Sequence, residues 1–315
     1  MLSLSDIQKA NARISDFIYQ TPVLTSENIN NISSAKIFFK CENFQKTGSF
    51  KMRGAVNAVL TLTEKEKEKG VCTHSSGNFA QALALSAKIS QTKAFIVMPE
   101  SAPDVKKNAV KSYGAEIIFC KPTVEDREKT VVKIQKKTGA AFIHPYNNYN
   151  VISGHSSIVF ELQKQITPVD FIISPVGGGG LISGIALATH HLFPETKVIG
   201  AEPQNASDAF FSLKKGKIQP SLNPHTIADG LLTSLGDKTF PIIKKHVKEI
   251  ILVSEKEIIS AMKLIWERMK IIVEPSSCVT LAAVLKEKEK FRNKSVGIIL
   301  SGGNVDFNKL PFGKI

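Results

Sequence analysis

Short apolar segments alternate with longer amphipathic segments along almost the whole chain. The apolar segments are residues 36–42, 71–73, 94–98, 116–120, 171–174, 197–202, 250–253 and 295–300, and the amphipathic ones are residues 50–62, 81–89, 105–113, 124–138, 181–192, 256–269 and 274–289. Such apolar runs are typical of buried strands, and the segments between them have the spacing of covering helices. The alternation predicts an α/β fold of mostly parallel, twisted sheets flanked by helices. A length of 315 residues suits two such domains better than one.

The charge of the chain is strongly positive. Lys and Arg number 41 against 28 Asp and Glu, a formal net charge of +13. Most cations are lysines on polar helix faces such as residues 63–69, whereas proteins that read nucleic-acid grooves cluster arginine. Here the arginines are scattered: Arg13, Arg53, Arg127, Arg268 and Arg292. The charge therefore fits solubility or attraction of small anions, and we expect no nucleic-acid partner.

The cysteines and the apolar stretches indicate the compartment. No Cys-x-x-Cys pair or zinc-type histidine spacing occurs, so we expect buried free thiols at Cys41, Cys72, Cys120 and Cys278. No apolar stretch reaches the ~18 residues needed to span a bilayer, and the first residues lack the features of a secretory signal. We therefore expect a soluble cytoplasmic protein with no membrane partner.

Four consecutive glycines, Gly177, Gly178, Gly179 and Gly180, join a predicted strand to a predicted helix. Bare backbone N–H groups at a helix N-terminus bind anions, so this loop predicts a phosphate site. It is not a P-loop, because no Gly-Lys-Ser/Thr follows, and it lacks the last glycine of the dinucleotide pattern. A dinucleotide site with Glu202 as the ribose-binding acid is therefore the weaker alternative.

Lys51 lies just inside the start of the helix predicted at residues 50–62, within Lys-Thr-Gly-Ser-Phe-Lys-Met-Arg-Gly-Ala. The positive end of a helix disfavours a cation, so the amine of Lys51 should lose its proton more readily than usual. A lysine of that kind can form a Schiff base with a carbonyl compound. The position alone does not separate this role from that of a solvated lysine, because lysine is abundant here.

Serines precede several predicted helices. Ser5 is a plausible N-cap for a helix that carries Ile7, Ala10 and Ile14. Ser76 is a plausible N-cap in the strand-to-helix turn Ser-Ser-Gly-Asn of residues 75–78. A third polar turn, Ser-Gly-Gly-Asn at residues 301–304, follows the strand at residues 295–300. Any one of these polar turns carries little information, but several of them follow predicted strands, and their order along the chain can be compared with that of known families.

In this order, the lysine segment, the Ser-Gly-Asn turn, the tetraglycine loop and the Ser-Gly-Gly turn resemble those of the fold-type II pyridoxal-phosphate enzymes. Within that group the chain is similar to the serine racemase and serine/threonine dehydratase family, from Thr21 to Asn304. The resemblance implies the fold of the tryptophan synthase β-subunit. We expect a large cofactor-binding domain of residues 1–62 plus 148–315 and a small mobile domain of residues 63–147. A homodimer is also implied, and a nucleotide effector is possible.

The resemblance assigns roles around pyridoxal 5'-phosphate. Lys51 would form the Schiff base with the cofactor and remove the α-proton of the substrate. The remaining cofactor contacts would come from Phe50 on the pyridine ring, Asn78 on the phenolic oxygen, Gly177 to Gly180 on the phosphate and Ser301 on the ring nitrogen. A neutral serine opposite that nitrogen suits elimination better than deep carbanion stabilisation.

Substrate contacts are implied in the same way. The carboxylate of a small amino acid would bind at Ser75, Ser76, Gly77 and Asn78, another helix N-terminus. Ser76 is the more diagnostic residue, since dedicated threonine dehydratases commonly have alanine there and serine racemases have serine. Two bases on opposite faces of one α-carbon allow a proton to leave from one side and return to the other. Arg127 matches an arginine that helps to recognise the substrate in racemases; a solvated charge on a helix is the alternative interpretation.

A divalent-metal site is implied by the segment that follows the strand at residues 197–202. Its ligands would be the carboxylates of Glu202 and Asp208 and the main-chain carbonyl of Ala206. Hard oxygen ligands of this kind select Mg²⁺ or Ca²⁺. Surface carboxylates without a metal are the alternative interpretation.

Three positions depart from the family pattern. Phe79 stands in place of a usual histidine, Tyr146 in place of a frequent asparagine, and Gly-His-Ser at residues 154–156 in place of Gly-Gln-Gly. The resemblance implies a serine racemase that is also an L-serine and L-threonine dehydratase, forming a 2-oxo acid and ammonia. The alternatives are a strict threonine dehydratase, a 3-hydroxyaspartate dehydratase and, outside the enzymes, a regulatory protein that binds a phosphate or nucleotide.

Overall fold

The strands of the computed structural model, which describes residues 2–102, 104–307 and 310–312, form two separate sheets. The strands are β1 (Val23–Leu24), β2 (Lys36–Cys41), β3 (Val71–His74), β4 (Ala94–Pro99), β5 (Glu116–Cys120), β6 (Ala141–Phe142), β7 (Phe171–Pro175), β8 (Lys197–Pro203), β9 (Val247–Val253) and β10 (Ser295–Leu300). Most of the predicted strands are present at the predicted places, with ends that differ by a few residues.

Helices fill most of the chain between the strands. They are α1 (Leu4–Ile14), α2 (Glu27–Ser33), α3 (Lys51–Leu60), α4 (Glu64–Lys69), α5 (Asn78–Ile89), α6 (Asp104–Ser112), α7 (Val124–Thr138), α8 (Tyr149–His155), α9 (Ser157–Gln165), α10 (Gly180–Leu192), α11 (Asp208–Lys215), α12 (Phe240–His246), α13 (Glu255–Met269), α14 (Pro275–Lys286) and α15 (Lys288–Phe291). Short 3₁₀ turns cover Ser15–Phe17, Glu42–Phe44, Lys46–Gly48, Gln204–Ala206 and Asp229–Leu231.

The larger sheet has six strands in the order β1-β2-β10-β7-β8-β9. All neighbouring strands pair in parallel except β1 and β2. In a parallel arrangement the carboxyl ends of the strands lie at one edge, where ligand sites of α/β proteins are found. The loops after β2, β7, β8 and β10 therefore share that edge, and they carry Lys51, the four glycines, Asp208 and Ser301.

The smaller sheet has four parallel strands in the order β5-β4-β3-β6. Its strand β3 ends at His74, so the turn of residues 75–78 follows a carboxyl end as well. Two mostly parallel sheets with helices between their strands confirm the predicted α/β fold. The predicted division into two domains agrees with the two sheets, but its residue boundaries stay a prediction.

Two helix starts differ from the predicted N-caps. Helix α1 is capped by Ser3, which forms a reciprocal capping box with Asp6, so the prediction of Ser5 was wrong by two positions. Helix α5 has Gly77 at its N-cap and no side-chain cap, so Ser76 does not cap it. Asp6 explains the first difference, since its carboxylate accepts the backbone N–H of Ser3 at 2.8 Å.

Apolar side chains from both faces of the larger sheet are buried, which fits strands covered on both sides. The four cysteines are buried and free, as predicted. None of the helices in the described ranges is long and apolar enough to cross a membrane.

Candidate active site

Lys51 begins helix α3, directly after the buried ring of Phe50. Its amine donates a hydrogen bond to the main-chain carbonyl of Pro145 at 3.1 Å. The Nζ atom also lies 4.8 Å from the ring centre of Phe50 and 5.8 Å from that of Phe79. The amine is therefore held between two aromatic rings and one carbonyl oxygen.

The surroundings of Lys51 favour its neutral form. Burial lowers the pKa of this amine to about 8, against the opposing effect of the Glu274 carboxylate. The start of helix α3 acts in the same direction as burial, because the exposed N–H groups there carry partial positive charge. About one amine in ten is then unprotonated at pH 7, far more than for a lysine of ordinary pKa, as a nucleophilic or basic lysine requires.

Asn78 begins helix α5 and lies in a network of side chains from distant parts of the chain. Its Nδ2 atom donates to both oxygens of Glu274, at 2.8 and 3.1 Å. Its Oδ1 atom accepts from Nδ2 of Asn304 at 2.9 Å, and the same amide nitrogen donates to the carbonyl of Thr47 at 2.8 Å. Asn78 is thereby tied to the turn after β10 and to the loop that precedes Lys51.

Ser301 is buried at the carboxyl end of β10. Its main-chain carbonyl accepts the N–H of Phe50 at 3.0 Å, and Ser49 and Gly302 form an isolated antiparallel bridge. Its hydroxyl lies 3.2 Å from that of Ser277. The structure therefore brings Ser301 next to the residues that precede Lys51, and the polar group that it offers is a neutral hydroxyl.

The tetraglycine loop fits a phosphate group because it has no space for side chains. A Cβ atom on Gly177 would lie 2.9 Å from the carbonyl oxygen of Gly230, and one on Gly178 would lie 2.3 Å from the ring of Tyr146. Gly179 has a φ of +87°, a left-handed conformation that favours glycine. Side chains are therefore excluded from this loop by its neighbours and by its backbone conformation. The loop presents backbone N–H groups at the start of α10, where an anion is stabilised.

Tyr146 connects the glycine loop to Lys51. Its ring packs against Gly178, and the residue before it, Pro145, accepts the hydrogen bond from the lysine amine. Burial raises the pKa of the Tyr146 hydroxyl above its ordinary value. The predicted cofactor residues are thus linked through direct contacts or through one or two intervening residues: Phe50, Lys51, Asn78, Ser301 and the four glycines.

The turn of Ser75, Ser76 and Gly77 joins β3 to α5 and is partly exposed. The N–H of Gly77 donates to the hydroxyl of Ser75 at 3.4 Å. A Cβ atom on Gly77 would meet nothing within 4 Å, so there is open space beside this turn. The turn can therefore receive a small anionic group at the N-terminus of α5.

Arg127 lies on α7, a helix that packs on β3, and is partly buried. Its Nε atom is buried and has no hydrogen-bond partner in the described ranges. Burial lowers the pKa of His74, the last residue of β3; the Arg127 charge lowers it further and the Glu128 charge opposes this. The arginine therefore lies within electrostatic reach of the strand that leads to Ser75, without contacting Lys51.

The predicted metal ligands form a second polar group at the same edge of the larger sheet. Glu202 is fully buried at the end of β8, and it accepts the N–H groups of Ala209 and Phe210, each at 2.9 Å. Asp208 begins α11 and accepts the N–H of Leu235 at 3.2 Å. The Oδ1 atom of Asp208 is buried without a hydrogen-bond partner among the described residues.

The two buried carboxyl groups of Glu202 and Asp208 form an environment that favours a bound cation. Burial and the charge of Asp208 raise the pKa of Glu202 to about 9, and burial raises that of Asp208 to about 6. A divalent ion with oxygen ligands would remove this repulsion. The described residues contain no group of three or more His, Cys, Asp or Glu side chains that could hold a metal. A site here would therefore need the carbonyl of Ala206, which is buried in the turn between the two carboxylates.

Sequence reasoning missed Glu274. It is the N-cap of α14 and accepts a hydrogen bond from the side chain of Asn78. Burial, together with the charge of Asp229, raises the pKa of its carboxyl to about 8. A Cβ atom on Gly302 would lie 2.6 Å from its Oε1 atom, so it also contacts the turn after Ser301. The signal in the sequence is a glutamate before a helix that opens with proline, which is indistinguishable from an ordinary helix start.

A buried ion cluster that the sequence analysis also missed fixes the helix of Lys51. Arg53 is fully buried and contacts Glu42 and Glu161, each at 2.6 Å, and Lys40 contacts Glu161 at 2.6 Å. Two cations and two carboxylates offset one another, so the cluster has no net charge. It joins α3 to the end of β2 and to α9, and thereby fixes the start of α3.

Known proteins show the same architecture over the whole chain. A model of the family described as pyridoxal-phosphate dependent enzyme matches residues 14–302. The serine racemase of Dictyostelium discoideum is 51% identical, with 98% of this chain and 97% of that protein covered. Its crystal structure superposes with a TM-score of 0.93, covering 97% of this chain and 99% of that one.

Two relatives with other activities are almost as similar. The beta-hydroxyaspartate dehydratase of Paracoccus denitrificans is 48% identical, with 98% of each chain covered. The crystal structure of a threonine deaminase from T.th. has a TM-score of 0.92 and 40% identity, covering 97% of this chain and 99% of that one. The resemblance inferred from the sequence motifs is confirmed, and the chain belongs to the family of pyridoxal-phosphate dependent enzymes.

Proposed function

We propose that this enzyme racemises serine and eliminates water from L-serine and L-threonine. The observation that carries the proposal is the position of Lys51, whose pKa is lowered to about 8. Its amine lies near the ring of Phe79, which follows the turn of residues 75–78, and donates to Pro145, which precedes the tyrosine packed on the glycine loop. Similarity to serine racemases and to a threonine deaminase supports the same substrates. A non-enzymatic phosphate-binding protein is disfavoured, because the chain belongs to a family of enzymes.

Pyridoxal phosphate, when bound, supplies an electron sink that stabilises the carbanion left after the α-proton is removed. We assign the phosphate to Gly177 to Gly180, the ring face to Phe50, the ring nitrogen to Ser301 and the phenolic oxygen to Asn78. The bare backbone of the glycine loop and the neutral hydroxyl of Ser301 support this assignment.

The reaction needs one group to remove a proton and a second to return it. We propose that the unprotonated amine of Lys51 takes the α-proton and that the hydroxyl of Ser76 returns one to form D-serine. The N–H groups at the start of α5 and the hydroxyl of Ser75 would hold the substrate carboxylate. If, after the α-proton has been removed, the β-hydroxyl takes up a proton and leaves as water before Ser76 acts, the α-proton and the hydroxyl are lost together and the resulting 2-aminoacrylate hydrolyses to pyruvate and ammonia. Racemisation and elimination then share one proton abstraction.

The direct test is to incubate the holoenzyme with L-serine and to measure pyruvate and D-serine together by chiral chromatography. We expect both products. Pyruvate without D-serine would establish the strict dehydratase, with Ser76 as a binding residue. Absence of pyruvate and D-serine from L-serine, together with absence of 2-oxobutanoate in a parallel incubation with L-threonine, would overturn the proposal.

A 3-hydroxyaspartate dehydratase is the second candidate, favoured by Arg127 and by the Paracoccus relative. The guanidinium of Arg127, whose Nε atom has no partner among the described residues, is on the helix that packs on β3 and can bind the second carboxylate of such a substrate. Arg127→Gln should then lower kcat/KM for 3-hydroxyaspartate more than for serine, with Arg268→Gln as an exposed arginine control. Equal losses on both substrates would remove this candidate.

The remaining predictions are kept as parts of the proposal. We propose that Glu202, Asp208 and the carbonyl of Ala206 hold Mg²⁺ or Ca²⁺, and that residues 63–147 form a small domain that moves against residues 1–62 plus 148–315. The two separate sheets support the division. A cytoplasmic homodimer and a nucleotide effector stay predictions from the family resemblance.

A further inference from the structure

The serine assigned to the ring nitrogen of the cofactor, Ser301, has a second buried serine beside it. Ser277 lies in the first turn of α14 and is fully buried, and Ser301 is 2% exposed. The hydroxyl oxygen of Ser277 lies 3.2 Å from that of Ser301, 2.7 Å from the main-chain carbonyl oxygen of Gly302 and 2.8 Å from the main-chain nitrogen of Gly302. Ser277 therefore has three hydrogen-bonding neighbours in the turn that follows β10.

The chemistry of these neighbours fixes the direction of each hydrogen bond. A serine hydroxyl has one proton and two lone pairs. The carbonyl oxygen of Gly302 can only accept, and its contact is the shortest, so it takes the proton of Ser277. The N–H of Gly302 can only donate, so it occupies one lone pair of Ser277. A lone pair of Ser277 is left for Ser301, so Ser301 is the donor in the contact between the two hydroxyls.

The reverse arrangement, in which Ser277 donates to Ser301, is less favourable. It would exchange a hydrogen bond of 2.7 Å for one of 3.2 Å, and hydroxyl hydrogen bonds weaken beyond their usual length. The carbonyl oxygen of Gly302 also accepts the N–H of Glu274 at 3.0 Å, but its two lone pairs accommodate both donors. The proton of Ser277 is therefore held by Gly302 in either orientation of the Ser301 hydroxyl.

The proton held on Ser277 decides which group Ser301 binds best. When Ser301 donates to Ser277, its own oxygen has only lone pairs left, and the complementary group is an N–H donor. When Ser301 donates to a bare nitrogen instead, its hydrogen bond to Ser277 is lost. We propose that Ser277 is a positioning residue, which accepts the proton of Ser301 and thereby favours the protonated form of the cofactor's ring nitrogen. The position of that nitrogen at Ser301 rests on the proposed function.

A protonated ring is the stronger electron sink, so the hydroxyl of Ser277 supports removal of the α-proton by Lys51. Ser301 without such a neighbour would donate its proton to the ring nitrogen and leave that nitrogen unprotonated. The effect of Ser277 is that of one hydrogen bond between neutral groups. The proton-binding constant of the ring nitrogen should therefore be about three- to tenfold larger with Ser277 than without it.

Other titratable and charged groups around this turn act on the same nitrogen. Glu274 is the nearest to Gly302, since a Cβ atom on that glycine would lie 2.6 Å from its Oε1 atom. Its carboxyl has a pKa of about 8, so its charge adds to the effect mainly at higher pH. A difference between serine variants isolates the Ser277 hydroxyl, because the surrounding groups are the same in all of them: Glu274, Cys278, Lys51, Asp229, Lys106 and His155.

The test uses holoenzyme prepared with pyridoxal phosphate that carries nitrogen-15 at the ring nitrogen. The chemical shift of this nitrogen, which reports its protonation, is followed by NMR as pH changes. We expect a protonated fraction in the wild-type enzyme and a midpoint about 0.5 to 1 pH unit lower in Ser277→Ala. A wild-type signal at the unprotonated position throughout the range from about pH 6 to pH 9 would overturn the inference without any variant.

Two further variants separate the hydrogen bond from a loss of packing. Ser276→Ala removes a hydroxyl of similar burial from the same turn of α14, one that accepts the N–H of Gly230 at 3.0 Å, and it should keep the wild-type midpoint. Ser277→Thr retains the hydroxyl and should restore the midpoint that Ser277→Ala lowers.

The outcomes distinguish this inference from the proposed function. Equal midpoints in the wild-type enzyme and Ser277→Ala, or equal changes in Ser276→Ala and Ser277→Ala, would overturn the role of Ser277. The proposed function would stand in that case if the wild-type holoenzyme still forms pyruvate and D-serine from L-serine. A wild-type protein that forms no product from L-serine or L-threonine would refute the proposed function and the role of Ser277 with it.

Discussion

The side-chain nitrogen of Asn78 lies within hydrogen-bond distance of both carboxyl oxygens of Glu274, at 2.8 and 3.1 Å, although 196 residues separate the two in the sequence. One amide at the start of α5 thus holds the carboxyl group that precedes α14. The charge of that carboxyl opposes the effect of burial on Lys51 and raises the pKa of its amine. Glu274 therefore affects the pKa of the Lys51 amine through its charge and not through a hydrogen bond.

Glu274→Gln should shift the titration of Lys51. Removal of the negative charge leaves burial unopposed, so the pKa of the amine should fall below its present value of about 8. The measurement is the pH dependence of the rate at which apoenzyme captures pyridoxal phosphate covalently, which requires the unprotonated amine. The carboxyl of Glu274 itself has a pKa of about 8, so its charge is present mainly from pH 8 upwards, and capture should become faster near pH 8. Glu195→Gln, an exposed carboxylate, is the control, and an unchanged pH profile in Glu274→Gln would contradict the coupling.

Lys51→Ala should abolish covalent attachment of the cofactor and lower turnover of L-serine by about 10²- to 10⁴-fold, the usual contribution of a positioned base. Borohydride reduction of the holoenzyme followed by peptide mass spectrometry should locate the cofactor on the peptide that contains residue 51. Lys46→Ala removes a lysine from the same loop, where the amine contacts the ring of Tyr19. A cofactor found on another lysine would refute the assignment.

Ser76→Ala should separate the two reactions. Loss of the second proton-transfer group should lower D-serine formation by about 10²-fold or more, while pyruvate formation is retained because Lys51 still removes the α-proton. Both products are measured in one incubation. Ser75→Ala is the matched control, since its hydroxyl accepts from Gly77 and would affect carboxylate binding for both reactions alike. Parallel loss of both products in Ser76→Ala would make Ser76 a binding residue only.

The parts of the site that follow strands were predictable from sequence. Gly177 to Gly180 and Ser301 stand directly after apolar runs, and the carboxyl ends of parallel strands meet at one edge. Glu274 was not predictable, because its partner Asn78 is brought to it by the packing of two sheets. The same is true of Arg53, since a sequence does not distinguish a buried arginine with two carboxylate partners from a solvated one.

The secondary structure also has parts that were predictable from the sequence and parts that were not. Long amphipathic elements such as α7 and α13 were predicted to within a residue of their ends, because one apolar face repeats over several turns. Helices α8 and α12 were missed: each has seven residues, too few for a clear period, and α8 is buried over most of its surface. Strand β6 has two residues and depends on its pairing with β3.

Added Mg²⁺ should stabilise the protein more at pH 8 than at pH 5.5. The folded state holds Glu202 with a pKa near 9 and Asp208 with one near 6, both above their ordinary values. Without a cation the fold therefore loses stability as pH rises from about 4 towards 9, because the unfolded chain releases protons that the folded chain retains. A bound cation favours the ionised forms and reverses this loss.

Thermal unfolding with Mg²⁺ and with EDTA at the two pH values measures the effect. Glu202→Gln should remove most of the difference, and the exposed Glu195→Gln should not. Equal stabilisation at both pH values, or an effect that survives in Glu202→Gln, would mean that Mg²⁺ acts elsewhere.

His155 should make the fold sensitive to acid. The residue is fully buried, its ring lies 4.7 Å from that of Phe50, and neither ring nitrogen has a hydrogen-bond partner within the described ranges. Burial first, and then the charges of Lys51 and Arg53, hold the pKa of its imidazole well below the ordinary 6.5. The folded state therefore excludes a proton that the unfolded state accepts.

Stability that depends on neutral His155 is fully present above pH 6.5 and declines as pH falls below it, by at most about 1.4 kcal/mol per pH unit for one group. His155→Gln introduces a side chain that does not titrate and should flatten this part of the profile. Urea unfolding at pH 7.5 and pH 5.0 measures the free energy of unfolding for both proteins. The exposed His225→Gln should retain the wild-type profile, and a His155→Gln protein with the wild-type decline would show that other groups cause the acid sensitivity.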